Sequence, residues 1–315
     1  MRKWLALAAA GVMALGVTAC GDDDESEGGG GGGGGGGDLS GNIRIDGSST
    51  VQPFAEAAAE LFSEENPGVK LTVGGAGTGD GFEKFCRGET QISDASRAIE
   101  EDETKLCSQG KVKPVEVPVA NDGITVVTNK SLKVDCITTG QLEKVFGKGA
   151  KATNLSQAGG NLPDQELALF TPGTESGTFD FFTEQINGEE GVQRTSGIQT
   201  SADDNVLVTG VSGEDGGFGY FGFSFYDQNK DKLNAVAVDG GSGCVTPSVE
   251  TIQSGEYKPL SRPLFMYPSE AALKKPEVKA FLDYVAENYA EIAEVAKIVP
   301  MNEEQASKAK SAIGG

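Results

Sequence analysis

Apolar and polar positions alternate through Ile43, Arg44, Ile45 and Asp46, and the run stops at Gly47-Ser48-Ser49-Thr50. Period two followed by small polar residues predicts a strand and a turn. The period then changes. Phe54, Ala57, Ala58, Leu61 and Phe62 fall on one face of a helix that Asn66-Pro67-Gly68 ends. A β-branched run, Val69 to Val73, predicts a second strand. Glycine-rich residues 74–81 follow it, then a short helical stretch from Phe82 to Arg87 and an extended piece from Gln91. Two strand–loop–helix units in tandem predict a parallel sheet with helices on its faces. Further strands are predicted at Val115–Val119, Gly123–Thr128, Leu167–Phe170, Phe218–Tyr220, Ala235–Val238 and Leu264–Met266. Helices are predicted at Gln141–Phe146, at Phe179–Ile186, and from Pro276, where Val278, Phe281, Leu282, Val285 and Tyr289 share a face. The same α/β grammar therefore occurs twice, without an obvious repeat.

The first 20 residues follow another pattern. Arg2 and Lys3 precede an apolar run, Leu5 to Val17, that is short for a membrane span of about 20 residues. A basic start, a short apolar middle and small residues describe an export signal, expected over residues 1–19. Thr18-Ala19-Cys20 resembles the lipobox of bacterial lipoproteins. That resemblance implies a lipidated Cys20 and anchorage on the extracytoplasmic face of the cell membrane. Residues 20–41 are acidic and then almost pure glycine, so they are expected to be a disordered tether. Its reach would be roughly 25 Å.

Composition narrows the function. The formal charge is −21, and removing the signal leaves about −23, which repels nucleic acid. There is no histidine, which excludes Ser-His-Asp and Cys-His catalysis and histidine metal sites. Beyond Cys20, four cysteines remain: Cys86, Cys107, Cys136 and Cys244. In an oxidising compartment an even number suggests disulfides, and three connectivities are possible. The expected pairs are Cys86–Cys107, a local loop, and Cys136–Cys244, joining distant segments. No spacing matches a zinc site.

Three loops share one design: Gly47–Val51, Gly74–Gly81 and Gly173–Thr178 each follow a strand, carry Ser, Thr or Gly, and open a helix. Helix N-termini offer free N–H groups and partial positive charge, hydroxyls add donors, and glycine allows close approach. Such loops suit an oxyanion without a metal or cofactor. Arg97 ends a strand and can grip an oxyanion through two nitrogens.

The stretches DGSSTVQPFAEAAAELF, GAGTGDGFEKFCRGETQISDASRAI, VPVANDGITVVTN, SGTFDFF and LSRPLFMY resemble, in order and spacing, the PstS-type phosphate-binding lipoproteins of high-affinity bacterial phosphate importers. The likeness runs from about residue 42 to the end. It implies a periplasmic-binding-protein-like α/β fold, with two lobes joined by a two-strand hinge around a cleft. It places lobe I at 42–118 plus 265–315 and lobe II at 119–264. It implies a solute-binding protein, not an enzyme, that captures phosphate by closure and passes it to an ABC permease. As phosphate ligands it implies Ser49, Thr50 and Val51 in the first loop, Thr78 in the second, and Ser176, Gly177 and Thr178 in the third. Two departures stand out. Many members have an arginine where this chain has Pro172, and an aspartate where it has Arg97. The expectation is a trade of charges: Arg97 supplies the cation. Asp122 then accepts the phosphate proton, with Asp80 as second choice. Such an acceptor favours protonated phosphate over fully ionised sulfate.

Two rivals follow from the same residues. A secreted phosphatase lacks a usable nucleophile: Ser176 is outside a G-x-S-x-G turn and there is no histidine base. Asp227 to Asp231 begins like a calcium loop, but Lys232 and Val238 stand at its sixth and twelfth positions. A binding protein for sulfate or molybdate is the closer rival.

Overall fold

In the computed structural model of the protein, residues 39–174 and 176–314 are described. The export signal, Cys20 and all but the last residues of the tether lie outside them. The first half runs β1 (Gly41–Gly47), α1 (Gln52–Glu65), β2 (Val69–Val73), α2 (Thr78–Cys86), β3 (Ile92–Ala95), α3 (Glu101–Gln109) and β4 (Val117–Asn129). Next come β5 (Cys136–Thr138), α4 (Thr139–Phe146), β6 (Ala168–Pro172), α5 (Gly177–Asn187), β7 (Ile198–Ser201), α6 (Asp204–Gly213), β8 (Gly217–Gly222) and α7 (Phe223–Gln228). The chain continues through β9 (Leu233–Ala235), β10 (Ala237–Asp239), β11 (Cys244–Val245) and α8 (Val249–Gln253). It returns along β12 (Ser261–Pro268), α9 (Pro276–Ala296), β13 (Val299–Pro300) and α10 (Glu303–Gly314).

The main sheet has the order β2-β1-β3-β12-β4-β8-β6-β7. Pairing is parallel from β1 to β2 and β3, and again from β6 to β7 and β8. β12 and β4 are antiparallel to each other and to their outer neighbours. These two strands are the crossings between lobes. All 13 residues of β4 are buried, because its two halves serve different cores. Val117, Val119 and Ala120 pack with α1 and α9, whereas Ile124 and Val126 pack with α4 and α5.

A third segment braces the crossing. β13 pairs with β4 at Asn121 and Ala120, and Val299 enters the second core. The buried Asn121 side chain donates to the Pro300 carbonyl (3.0 Å) and accepts from Gln305 (2.7 Å). Gln253 of α8 donates to that same carbonyl at 3.0 Å. At Gly123 a Cβ would lie 2.4 Å from the Ile252 side chain of α8, so any larger residue would force that side chain to move.

Several expectations change. The glycine loop does not run to Gly81: α2 starts at Thr78. The two predicted strands at 115–128 are one continuous strand, because Asp122 and Gly123 stay in register with β12. The tether was expected to reach residue 41, but β1 begins at Gly41 and Leu39 packs on the first core. Both expected disulfides are present: Cys86–Cys107 joins α2 to α3, and Cys136–Cys244 joins β5 to β11. Closing the first loop, of 21 residues, restrains the unfolded chain by about 3 kcal/mol.

Candidate functional site

The two lobes meet over a cleft of about 600 Å³. Its floor is built on the crossing. Arg262 of β12 stands directly opposite Asp122 of β4 in the antiparallel register. Its Nε donates to the Asp122 carboxylate at 3.3 Å; the Asp122 side chain is buried and that of Arg262 is 15% exposed. Its Nη2 donates to Thr50 Oγ1 at 2.8 Å. The ring of Phe181, from α5, covers one guanidinium face at 3.7 Å. Burial pushes the Arg262 pKa down and the Asp122 carboxyl up, and the ion pair opposes both shifts. The attraction between the two opposite charges offsets part of the cost of burying them.

The bond to Thr50 has a chemical consequence. Thr50 Oγ1 spends acceptor capacity on the arginine, so its own O–H points elsewhere as a donor. The Thr50 N–H reaches Ser48 Oγ at 3.2 Å, and the Ser48 carbonyl accepts from Val51 and Gln52, which holds the first turn of α1. Across the cleft, Gly177 abuts Thr50. A Cβ there would come within 2.4 Å of Thr50 Oγ1 and 3.0 Å of its amide nitrogen. No other residue type lets the third loop approach the first so closely.

The walls add hydroxyls and carboxylates. Thr78 Oγ1 and Ser96 Oγ lie 3.2 Å apart. Asp46 fixes the glycine loop from below by accepting from Ala76 N–H (3.1 Å), and Lys84 bonds its other oxygen. Asp180, in the first turn of α5, lines the cleft half-buried. Burial raises its carboxyl, Glu190 adds to the rise, and Arg262 opposes it. No hydrogen bond to this carboxylate comes from the described residues. No cluster of acidic or sulfur ligands suited to a metal occurs among the described residues. No described helix is long and apolar enough to cross a membrane.

Comparison with known proteins fits this architecture. The model of the PBP superfamily domain matches residues 33–288. The chain belongs to that superfamily. Protein SphX of Synechococcus elongatus is 44% identical over 262 residues, covering 82% of this chain and 77% of that one. The phosphate-binding protein PstS of Staphylococcus epidermidis (strain RP62A) is 37% identical over 306 residues, covering 95% and 89%. The crystal structure of a possible phosphate-binding protein from Planctomyces limnophilus superposes with a TM-score of 0.83 at 40% identity. It covers 88% of this chain and 98% of that one.

Within this PBP-superfamily cleft the expected ligand residues separate. Ser49, Thr50, Thr78, Asp80, Arg97 and Gly177 line it. Val51 does not line it: its side chain is wholly buried in the first core. Ser176 caps α5 by accepting from the Thr178 N–H at 3.3 Å, and neither side chain is part of the cleft lining. Asp80 is exposed.

Arg97 lines the cleft, but its donors are engaged within its own lobe. Its two terminal nitrogens donate to the two oxygens of Glu103 at 2.9 and 2.8 Å, and its Nε lies 3.3 Å from Glu100. Glu103 is drawn there because it also caps α3, accepting from the Glu100 N–H. The cation at the floor is Arg262, which the sequence reading passed over. Its signal was present: an arginine in the apolar run of the second crossing, facing an aspartate in the first. Asp180 was also missed, inside the aromatic run Phe179–Phe182.

Proposed function

We propose that this chain is an extracytoplasmic solute-binding protein that captures inorganic phosphate between its lobes and delivers it to an ABC permease. Lobe I comprises 42–118 plus 265–315 and lobe II comprises 119–264; lipidated Cys20 and the tether hold the protein at the membrane face. The observation that carries the reading is the buried Arg262–Asp122 pair donating to Thr50. It sets a cation and an obligate hydroxyl donor where the β1–α1 loop and the start of α5 converge.

Arg262 takes the role first given to Arg97. Asp122 neutralises it, which leaves Asp180 as the unbonded carboxylate that accepts the phosphate proton. Thr78, Ser96, Ser49 and the backbone about Gly177 supply the remaining donors. A half-buried carboxylate without a partner meets sulfate only with repulsion, so it selects the protonated ion. Ligand bonded from both lobes favours the closed arrangement through its differential contacts. No turnover is involved.

Isothermal titration tests this. The purified protein is expected to bind phosphate and to ignore sulfate. In Asp180→Asn, phosphate affinity falls about tenfold or more while sulfate gains, as the amide donates where the carboxylate repelled. Phosphate binding in wild type should weaken as pH falls through the raised Asp180 range, since the acceptor must be ionised. Strong sulfate binding by wild type would overturn the assignment, as would steady hydrolysis of phosphate esters.

A further inference from the structure

We infer that Phe181 is a positioning residue for the anion-binding arginine: its ring fixes the Arg262 guanidinium so that only in-plane N–H groups face the cleft. This rests on the phosphate-binding reading above. A guanidinium carries five N–H groups in one plane and no acceptor. One goes to Asp122 from Nε and one to Thr50 from Nη2. Three remain on Nη1 and Nη2. Rotation about the side-chain bonds would swing these away from the cleft, and the two existing bonds lie in the guanidinium plane, so they resist tilting weakly. The Phe181 ring, 3.7 Å from the guanidinium carbon, supplies the restraint perpendicular to that plane. It also keeps water off that face, which strengthens each remaining N–H toward an oxyanion.

The ring itself is well held. Phe181 is 4% exposed and belongs to the core of the second lobe. It projects from α5, the helix that starts at Gly177 beside Thr50. The arginine is therefore gripped from two sides. Thr50 of the first lobe holds its edge, and Phe181 of the second holds its face. Ligand bound by the free N–H groups would be released only when these grips loosen, so the effect of the ring should appear in the dissociation rate.

The test compares wild type, Phe181→Leu and Phe181→Tyr by titration with inorganic phosphate, stopped-flow dissociation and thermal melting. Leucine keeps the apolar volume in part and removes the π face; tyrosine keeps the face. The expected result is an affinity loss of about 2- to 30-fold in Phe181→Leu, carried mainly by faster dissociation. Phe181→Tyr should stay within about twofold of wild type. Unchanged affinity in Phe181→Leu despite a lower melting temperature would overturn the inference, since the ring would then only fill the core. Equal losses in both variants would overturn it too. A wild-type protein that fails to bind phosphate would instead sink the functional reading on which the inference stands.

Discussion

Arg97 and Arg262 line the same cleft, yet they do different work. Arg97 is about two-fifths exposed and is bonded by two carboxylates of its own lobe. Arg262 is nearly buried, has one carboxylate, and reaches a hydroxyl and an aromatic face from elements on either side of the cleft. An exposed guanidinium surrounded by acids has little left to offer a ligand, and water competes for what remains. A nearly buried one with a single carboxylate partner keeps free donors in a region where electrostatic interactions are strong. Proximity to a cleft is thus a poor guide to which charge serves it. The count of donors left unspent is a better one.

The largest expected effect breaks the buried pair. Arg262→Met should abolish measurable phosphate binding, a loss of about 100-fold or more. It should also destabilise the fold by about 3–5 kcal/mol, because Asp122 is left buried without a partner. Adding Asp122→Asn should restore most of the melting temperature and none of the binding. Recovery of affinity in the double variant would show that the pair serves the fold alone.

A third buried charge sharpens the contrast. Asp94 is wholly buried at the end of β3, and both its oxygens lack a partner among the described residues. Burial pushes its carboxyl well above the usual range, with a smaller contribution from Asp46. A raised carboxyl means that the folded state holds its proton more tightly than the unfolded chain does. Its stabilising effect is therefore full below the ordinary value of about 3.9 and is lost as pH rises toward the native value. Asp94→Asn should flatten the decline of melting temperature with rising pH. Parallel pH profiles for variant and wild type would assign that decline to other groups.

The smallest effect belongs to Arg97. Arg97→Ala should change phosphate affinity by less than about threefold and stability by about 0.5 kcal/mol, the scale of a part-exposed ion pair. A tenfold affinity loss would return Arg97 to the binding set and erase the contrast with Arg262.

Much of this molecule could be read along the chain. The period-two run at Ile43–Asp46 and the apolar face of α1 follow from local sterics and burial, and both are present. The loops that hold Thr50, Thr78 and Gly177 were legible because strand-then-helix turns have a local signature; the residues themselves came from the family resemblance. The length of β4 was not, since Asp122 and Gly123 look like a break until β12 lies beside them. Helix α3, polar over most of its length and with Cys107 its one fully buried side chain, gave little periodic signal; its disulfide to α2 and the Glu103 cap hold it.

Sequence alone determined the secondary-structure grammar and the loops able to face an anion, because each rests on neighbours close in the chain; it narrowed the four cysteines to three pairings, of which the fold holds the expected one. Tertiary structure decided which charges meet one another at the cleft. Arg262 meets Thr50 across 212 positions of chain and Asp122 across 140, while Arg97 finds Glu103 only six residues away. Burial and donor geometry at such separations arise only once the strands cross, and no local signal along the chain carries them.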